Sequence, residues 1–106
     1  MSSQVRASHI LLMYKGSMRS QAERSKEEAL AAIKSFQDDL NDGADFGQIA
    51  RQFSDCPSGE EGGDLGRFGR GMMVPEFEEA AFSMQPGEVS DVIETPFGFH
   101  LIQRTE

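Results

Sequence analysis

Three side chains that could carry out nucleophilic or metal chemistry lie far apart in this sequence: His9, Cys56 and His100. Cys56 is the one cysteine of the chain, and the stretch that follows it, residues 59–71, contains six of the eleven glycines. An isolated thiol and distant histidines can act as nucleophile and base once folding brings them together. A cysteine–histidine hydrolase is therefore one interpretation of these residues.

Metal and nucleotide binding are less well supported by the same residues. No two of the three have the close spacing of a zinc motif, and a fourth ligand is not evident, so no metal or other cofactor is expected. The glycine-rich stretch "GGDLGRFGRG" lacks the GK[ST] ending of a phosphate loop and does not lead from a strand directly into a helix. Taken one at a time, a lone cysteine or a strand histidine is most often an ordinary packing residue.

The composition indicates one folded domain that spans residues 1–106. Apolar residues make up 38% of the chain and charged residues 26%, which is typical of globular proteins. The net charge of −8 opposes binding to nucleic acid or to anionic lipid, because both depend on clustered Lys and Arg. One cysteine cannot form an internal disulfide, and no long apolar run follows a basic N-terminus, so a cytoplasmic location without membrane contact is expected.

The first half of the chain predicts one strand and two helices. Residues 5–13 are apolar without Gly or Pro and predict a buried strand, with Ala7, His9, Leu11 and Met13 on one face. Ser25 and Glu28 form a capping-box pattern before a helix that should end near Gly43. Asp45 is suited to cap a second, shorter helix that leads to Asp55 and Cys56.

The second half predicts a short strand, a third helix and a terminal hairpin. "DLGRF" is the strand candidate, and Pro75 is suited to the first turn of a helix. The segment "TPFG" separates two apolar runs and predicts a β-turn, with His100 in the last strand. This order of elements indicates an α+β fold with helices packed on a mostly antiparallel sheet.

Taken together, five motifs resemble the parvulin family of peptidyl-prolyl cis/trans isomerases in family order and over nearly the whole chain. They are "SHILL", "FSDCPS", "GGDLGRFGRG", "VPEFEEAAF" and "ETPFGFHLIQRTE". The resemblance implies a four-stranded antiparallel sheet wrapped by about four helices, similar to the fold of the FKBP isomerases. It also implies catalysed rotation about the peptide bond before proline, a reaction that breaks no bond and needs no cofactor.

The same resemblance implies roles for six residues. His9, Cys56 and His100 match the catalytic positions of the family, and Leu65, Met73 and Phe77 match the socket for the proline ring. Family members carry either Cys or Asp at the position of Cys56, which argues against an obligatory covalent step, because the two groups share negative polarity and not nucleophilicity. The resemblance also implies that the two histidines lie on neighbouring strands at the floor of the site and hydrogen-bond to one another or to nearby groups. They are expected to set geometry and polarity and not to carry protons.

The loop after the first strand is a candidate anion-binding site, because it holds the cations Lys15, Arg19 and Arg24. The phosphate-directed branch of the family has adjacent arginines there, whereas Arg19 stands beside Ser20, so only a modest preference for an acidic residue before proline is expected. Proline-containing polypeptides are the expected partners of a monomeric enzyme. The alternative is a non-catalytic peptide-binding or chaperone module on the same scaffold.

Overall fold

Four antiparallel strands form the central sheet of the computed structural model, which describes residues 4–18, 20 and 22–106. The strands are β1 (Gln4–Leu12), β2 (Asp64–Gly69), β3 (Ile93–Thr95) and β4 (Gly98–Arg104). Their order across the sheet is β2-β1-β4-β3, so the first and last strands are neighbours at its centre. The helices are α1 (Lys26–Asn41), α2 (Phe46–Phe53) and α3 (Pro75–Ser83), together with a 3₁₀ helix (Pro57–Glu61).

The predicted α+β class and the four-stranded antiparallel sheet are confirmed, and the helix count differs slightly. The described residues form three α-helices and one short 3₁₀ helix, where about four helices were expected. The 3₁₀ helix runs from Pro57 into the glycine-rich stretch 59–71, and the sequence predicts no helix there. A segment of five residues has no hydrophobic periodicity that could reveal it.

Local sequence signals explain where the α-helices begin and end. The Ser25 hydroxyl accepts the Glu28 N–H at 3.1 Å and the Glu28 carboxylate accepts the Ser25 N–H at 2.8 Å, so the predicted capping box of α1 is present. Gly43 follows the helix with φ of +100°, a left-handed conformation that favours glycine. The Asp45 carboxylate caps α2 by accepting the Gln48 N–H at 3.0 Å. Pro75 occupies the first turn of α3, as predicted.

The two faces of the sheet carry different layers. Residues of even number in β1, such as Ile10 and Leu12, pack against α1 and α2 in one core cluster. Residues of odd number, such as Val5 and Ala7, pack against α3 in a second cluster. The predicted alternation along β1 is therefore present, and it directs His9 to the α3 side of the sheet.

Two glycines shape the connection from the 3₁₀ helix to β2. The Gly63 carbonyl accepts the His9 N–H at 2.9 Å, and a Cβ at Gly63 would lie only 2.3 Å from the His9 carbonyl oxygen. Gly66 has φ of +71° where the pairing of β1 with β2 shifts register, which is the geometry of a β-bulge. The close approach at Gly63 places the residue before β2 beside His9, and the bulge at Gly66 lies within β2 itself.

Within the described ranges, no helix combines the length and the apolar character needed to cross a membrane.

Candidate functional site

A cleft of about 460 Å³ opens on the α3 side of the sheet. All six predicted catalytic and socket residues line it, although they come from β1, the start of the 3₁₀ helix, β2, the loop before α3, α3 and β4. The remaining lining is almost entirely apolar: Leu11, Met13, Pro57, Met72, Val74 and Phe97. A larger groove of about 720 Å³ lies between α3 and residues 88–94, but five carboxylate side chains line it and none of the predicted site residues does. The cleft is thus the place where the predicted chemistry can occur.

Two buried histidines form the floor of the cleft. His9 Nδ1 and His100 Nδ1 are 3.0 Å apart, and the two rings stack with centroids 5.2 Å apart. His100 Nε2 is 2.8 Å from the Thr95 hydroxyl, which also accepts the Phe97 N–H at 3.2 Å. The Phe77 ring meets both imidazoles edge-on, with centroid distances of 5.6 Å. The histidine pair is therefore fixed by the hydrogen bond between the two rings, by the contact of His100 with Thr95 and by packing against Phe77.

Burial makes both histidines neutral at physiological pH. Desolvation lowers the pKa of His9 to about 4. Desolvation, together with the neighbouring His9, lowers the pKa of His100 to about 3. His9 Nε2 is buried and has no hydrogen-bond partner among the described residues. Neutral imidazole rings that are hydrogen-bonded to each other are suited to set the shape and polarity of the cleft floor.

Cys56 lies at the edge of the cleft, between the end of α2 and the 3₁₀ helix that it precedes. Its side chain is partly buried, and the Ser58 hydroxyl donates to Cys56 Sγ at 3.2 Å. Within the described residues, no hydrogen bond joins this thiol to either imidazole. A Cys–His nucleophile requires such a contact, so the geometry gives no support to the hydrolase interpretation.

The three predicted socket residues form one wall of the cleft. Phe77 is 3% exposed and is the most buried of them, because it also packs against Phe68 with ring centroids 5.9 Å apart. Leu65 and Met73 are partly exposed and pack against the same core cluster. A flat aromatic ring in the same cleft as two apolar aliphatic side chains is suited to a small saturated ring such as that of proline.

Comparison with known proteins identifies the family. A family model described as the PPIC-type PPIASE domain matches residues 1–106. The chain belongs to the PPIC-type peptidyl-prolyl cis/trans isomerases, the parvulins. It is 42% identical to the peptidyl-prolyl cis-trans isomerase Pin1 of Malus domestica, over 96% of this chain and 93% of that protein. It is 41% identical to the protein of the same name from Arabidopsis thaliana, over 96% and 95% of the two chains.

Solved structures agree with this assignment to the parvulins. The structure of the peptidyl-prolyl isomerase ESS1 from Candida albicans matches with a TM-score of 0.92 and 39% identity, covering 98% of this chain and 63% of that one. The parvulin of Nitrosopumilus maritimus matches with a TM-score of 0.70 and 39% identity, covering 100% of this chain and 99% of that one. The resemblance stated from the motifs is therefore confirmed at the level of the family.

The candidate anion-binding loop of this parvulin is only partly available. Arg24 Nη1 donates to the Asp55 carboxylate at 2.5 Å and to the Met13 carbonyl at 2.9 Å, so its charge already has a partner. Lys15 is exposed, and its backbone N–H donates to the Arg24 carbonyl at 2.8 Å. Arg19 lies outside the described residues. Of the two predicted cations that the structure describes, Lys15 is the one whose charge remains available to a substrate.

Sequence reasoning did not assign site roles to several residues that build this parvulin cleft. Leu11 and Met13 could have been found, because strand alternation places them on the same face as His9. Thr95, which bonds His100, gave no signal beyond its place at the start of the predicted turn. Asp55 was noted only as the residue before Cys56, since its contact with Arg24 joins positions 31 residues apart.

Proposed function

We propose that this parvulin domain accelerates rotation about X-Pro peptide bonds by holding the proline ring against Leu65, Met73 and Phe77. The observation that carries the proposal is the composition of the cleft, in which a neutral, hydrogen-bonded histidine pair and a single thiol are surrounded by apolar side chains. Relatives named peptidyl-prolyl cis-trans isomerase support the activity.

Such a cleft is suited to this reaction because of the origin of the barrier. Rotation costs ~18–20 kcal/mol for an ordinary peptide bond, since the nitrogen lone pair is conjugated with the carbonyl. In the twisted transition state this conjugation is lost, so an enzyme must bind the twisted amide better than either planar isomer. A water-poor site stabilises an amide of reduced polarity and strengthens the few polar contacts that it makes.

In this proposal the polar residues act without forming a bond to the substrate. Cys56 presents an electron-rich group beside the substrate carbonyl, which disfavours the conjugated ground state with its partly negative oxygen. His9 and His100 hold the floor of the cleft in one shape, because each imidazole is fixed by the other. Since no atom is transferred, neither a general base nor a cofactor is needed.

The substrates in this proposal are exposed proline-containing segments of other polypeptides. The net charge of −8 supports a role away from nucleic acid and anionic membranes. In this proposal residues 1–106 form one domain, and the protein acts in the cytoplasm as a monomer that assists folding or conformational switching. The apolar rim around Met13, Met72 and Phe97 supports binding of unfolded chains, which expose apolar side chains.

The test is isomerisation of a proline tetrapeptide, followed by a protease-coupled assay or by exchange NMR. The protein should accelerate the cis-to-trans rate in proportion to its concentration, and Phe77→Ala should lose most of the effect. Phe36→Ala, on α1 at the opposite face of the sheet, is the matched control and should remain active. Binding of the peptide without acceleration would overturn the proposal in favour of a peptide-binding or chaperone module.

A further inference from the structure

The segment Ser54 to Cys56 is attached to the end of β1 by three hydrogen bonds. The Asp55 N–H donates to the Leu11 carbonyl at 2.7 Å, and the Leu11 N–H donates to the Ser54 hydroxyl at 3.1 Å. The Met13 N–H donates to the Asp55 carboxylate at 2.8 Å. Two of the three bonds use a side-chain oxygen where a paired strand would use a carbonyl. The attachment therefore depends on the identity of these side chains and not on the backbone alone.

Arg24 completes this attachment from a third part of the chain. Its guanidinium nitrogen Nη1 donates both to the Asp55 carboxylate, at 2.5 Å, and to the Met13 carbonyl, at 2.9 Å. Arg24 is therefore hydrogen-bonded to both Asp55 and Met13, which are also hydrogen-bonded to each other. Arg24 lies in the loop just before α1, so the loop, β1 and the residue before Cys56 meet at one ion pair.

The Arg24–Asp55 ion pair lies next to the Cys56 edge of the proposed active cleft. Cys56 is the next residue after Asp55, and its N–H lies 3.4 Å from the same Ser54 hydroxyl that bonds Leu11. Leu11, Met13 and Cys56 all line the cleft. We infer that Arg24 and Asp55 are positioning residues, which fix the distance of the Cys56 thiol from the cleft floor on β1. The inference rests on the proposed isomerase function of the cleft.

A positioning role differs from a general contribution to stability, and the chain offers a matched comparison. Arg6 and Asp64 form an ion pair of 2.6 Å at the other end of β1, with side-chain exposures of 43% and 29%. Arg24 and Asp55 are similarly exposed, at 35% and 28%. Partly exposed pairs contribute little to stability, so the two should be alike in that respect. The Arg24–Asp55 pair adjoins the cleft at Cys56, whereas the Arg6–Asp64 pair adjoins it at Leu65, away from the thiol.

The first experiment measures kcat/KM for a proline tetrapeptide in two backgrounds. Asp55→Asn should lower kcat/KM about tenfold in the otherwise unchanged protein, mainly through kcat, because small misplacements of a catalytic group are costly. In the Cys56→Ala background the same change should cost less than about twofold, since the group that it positions is gone. Arg24→Gln should lower kcat/KM less than Asp55→Asn does, and Arg24→Lys should retain more activity than Arg24→Gln. Arg6→Gln is the control: any change in kcat/KM that it causes should be the same in both backgrounds, because the Arg6–Asp64 pair does not contact Cys56.

The second experiment does not depend on catalysis. The rate at which iodoacetamide alkylates the Cys56 thiol should rise at least about threefold in Asp55→Asn and stay unchanged in Arg6→Gln, with folding verified by circular dichroism. Should Asp55→Asn fail to fold, Arg24→Gln replaces it in both experiments. Equal losses of activity in the two backgrounds, an unchanged alkylation rate or a fully active Cys56→Ala variant would overturn the inference. An inactive unmodified protein would instead refute the proposed function, and alkylation would still test the positioning.

Discussion

Acidification from pH 7 to pH 5 should destabilise this protein through its histidine pair. Both imidazoles have pKa values far below the ordinary 6.5, about 4 for His9 and about 3 for His100. Between those values and 6.5, the unfolded chain takes up protons that the folded protein does not. The stability is therefore fully present above pH 6.5 and is lost as the pH falls toward the folded pKa values.

The expected loss is large compared with the stability of a small domain. We compare the unfolding free energy with its value at high pH, where both histidines are neutral in the folded and the unfolded chain. Each histidine should lower it by about 2 kcal/mol at pH 5 and by very little at pH 7. Together they should lower the unfolding free energy by about 3–4 kcal/mol between the two pH values, out of a typical total of about 5–15 kcal/mol. The two groups interact across 3.0 Å, so the pair and not either residue sets the final size of the effect.

The interval between pH 7 and pH 5 separates this effect from that of the carboxylates. Ion pairs and hydrogen bonds lower the pKa values of Glu28, Asp64, Glu94 and Glu106. Their stabilising contributions are present above the unfolded values near 4 and are lost only as the pH falls below them. A fall in stability above pH 5 therefore reports on the histidines.

Urea unfolding at pH 7 and pH 5, followed by circular dichroism, measures the change directly. NMR titration gives a site-specific check, because the chain has only two histidines. Their ring signals should not titrate above pH 5 in the folded protein. The variant His9→Gln/His100→Gln is the control and should lose the pH dependence in this interval. Equal stability at both pH values, or ring titrations centred near pH 6.5, would refute the assignment of a desolvated neutral pair.

Three further outcomes test the roles proposed for individual side chains. Cys56→Asp should keep measurable isomerase activity while Cys56→Ala loses more, because the proposed role is negative polarity; a fully active alanine variant would exclude it. Phe77→Ala and Met73→Ala should each weaken peptide binding by about 1–3 kcal/mol, the scale of lost apolar burial. NMR titration measures this affinity, and an unchanged affinity in folded variants would place the proline ring elsewhere. Because Arg24 is engaged, any preference for phosphoserine over alanine before proline should depend on the other two predicted cations, Lys15 and Arg19. It should reach at most about tenfold in kcat/KM and fade with salt; a salt-resistant preference above about a thousandfold would show a true phosphate clamp.

Sequence reasoning was strongest where a local rule applied. The capping box at Ser25, the left-handed Gly43 and the cap at Asp45 each depend on residues a few positions apart, and all three are present. Strand alternation placed His9 on the correct face of β1. The family motifs then predicted that His100, on the far end of the chain, would lie near His9, and the 3.0 Å contact between their Nδ1 atoms agrees with this.

The features that escaped prediction depend on contacts between distant residues. The sequence places Arg24 among the cations of a candidate anion-binding loop, because nothing local indicates that it contacts Asp55. The Met13 N–H bonds the carboxylate of Asp55, 42 positions away, in place of a strand partner. The 3₁₀ helix at Pro57 was missed for a different reason, since one tight turn is too short to show a period.

The strand order places a constraint on how this protein acquires its active shape. β1 and β4, which carry the two histidines, are adjacent although His9 and His100 are 91 positions apart. Pairing ends of the chain that are so distant requires closure of a very long loop, which slows folding. During synthesis, β1 emerges before the other three strands, and it cannot pair with β4 until residues 98–104 are available. A protein that we propose to assist the folding of other chains therefore itself depends on a contact between distant parts of its chain, and its cleft forms only when β1 and β4 pair.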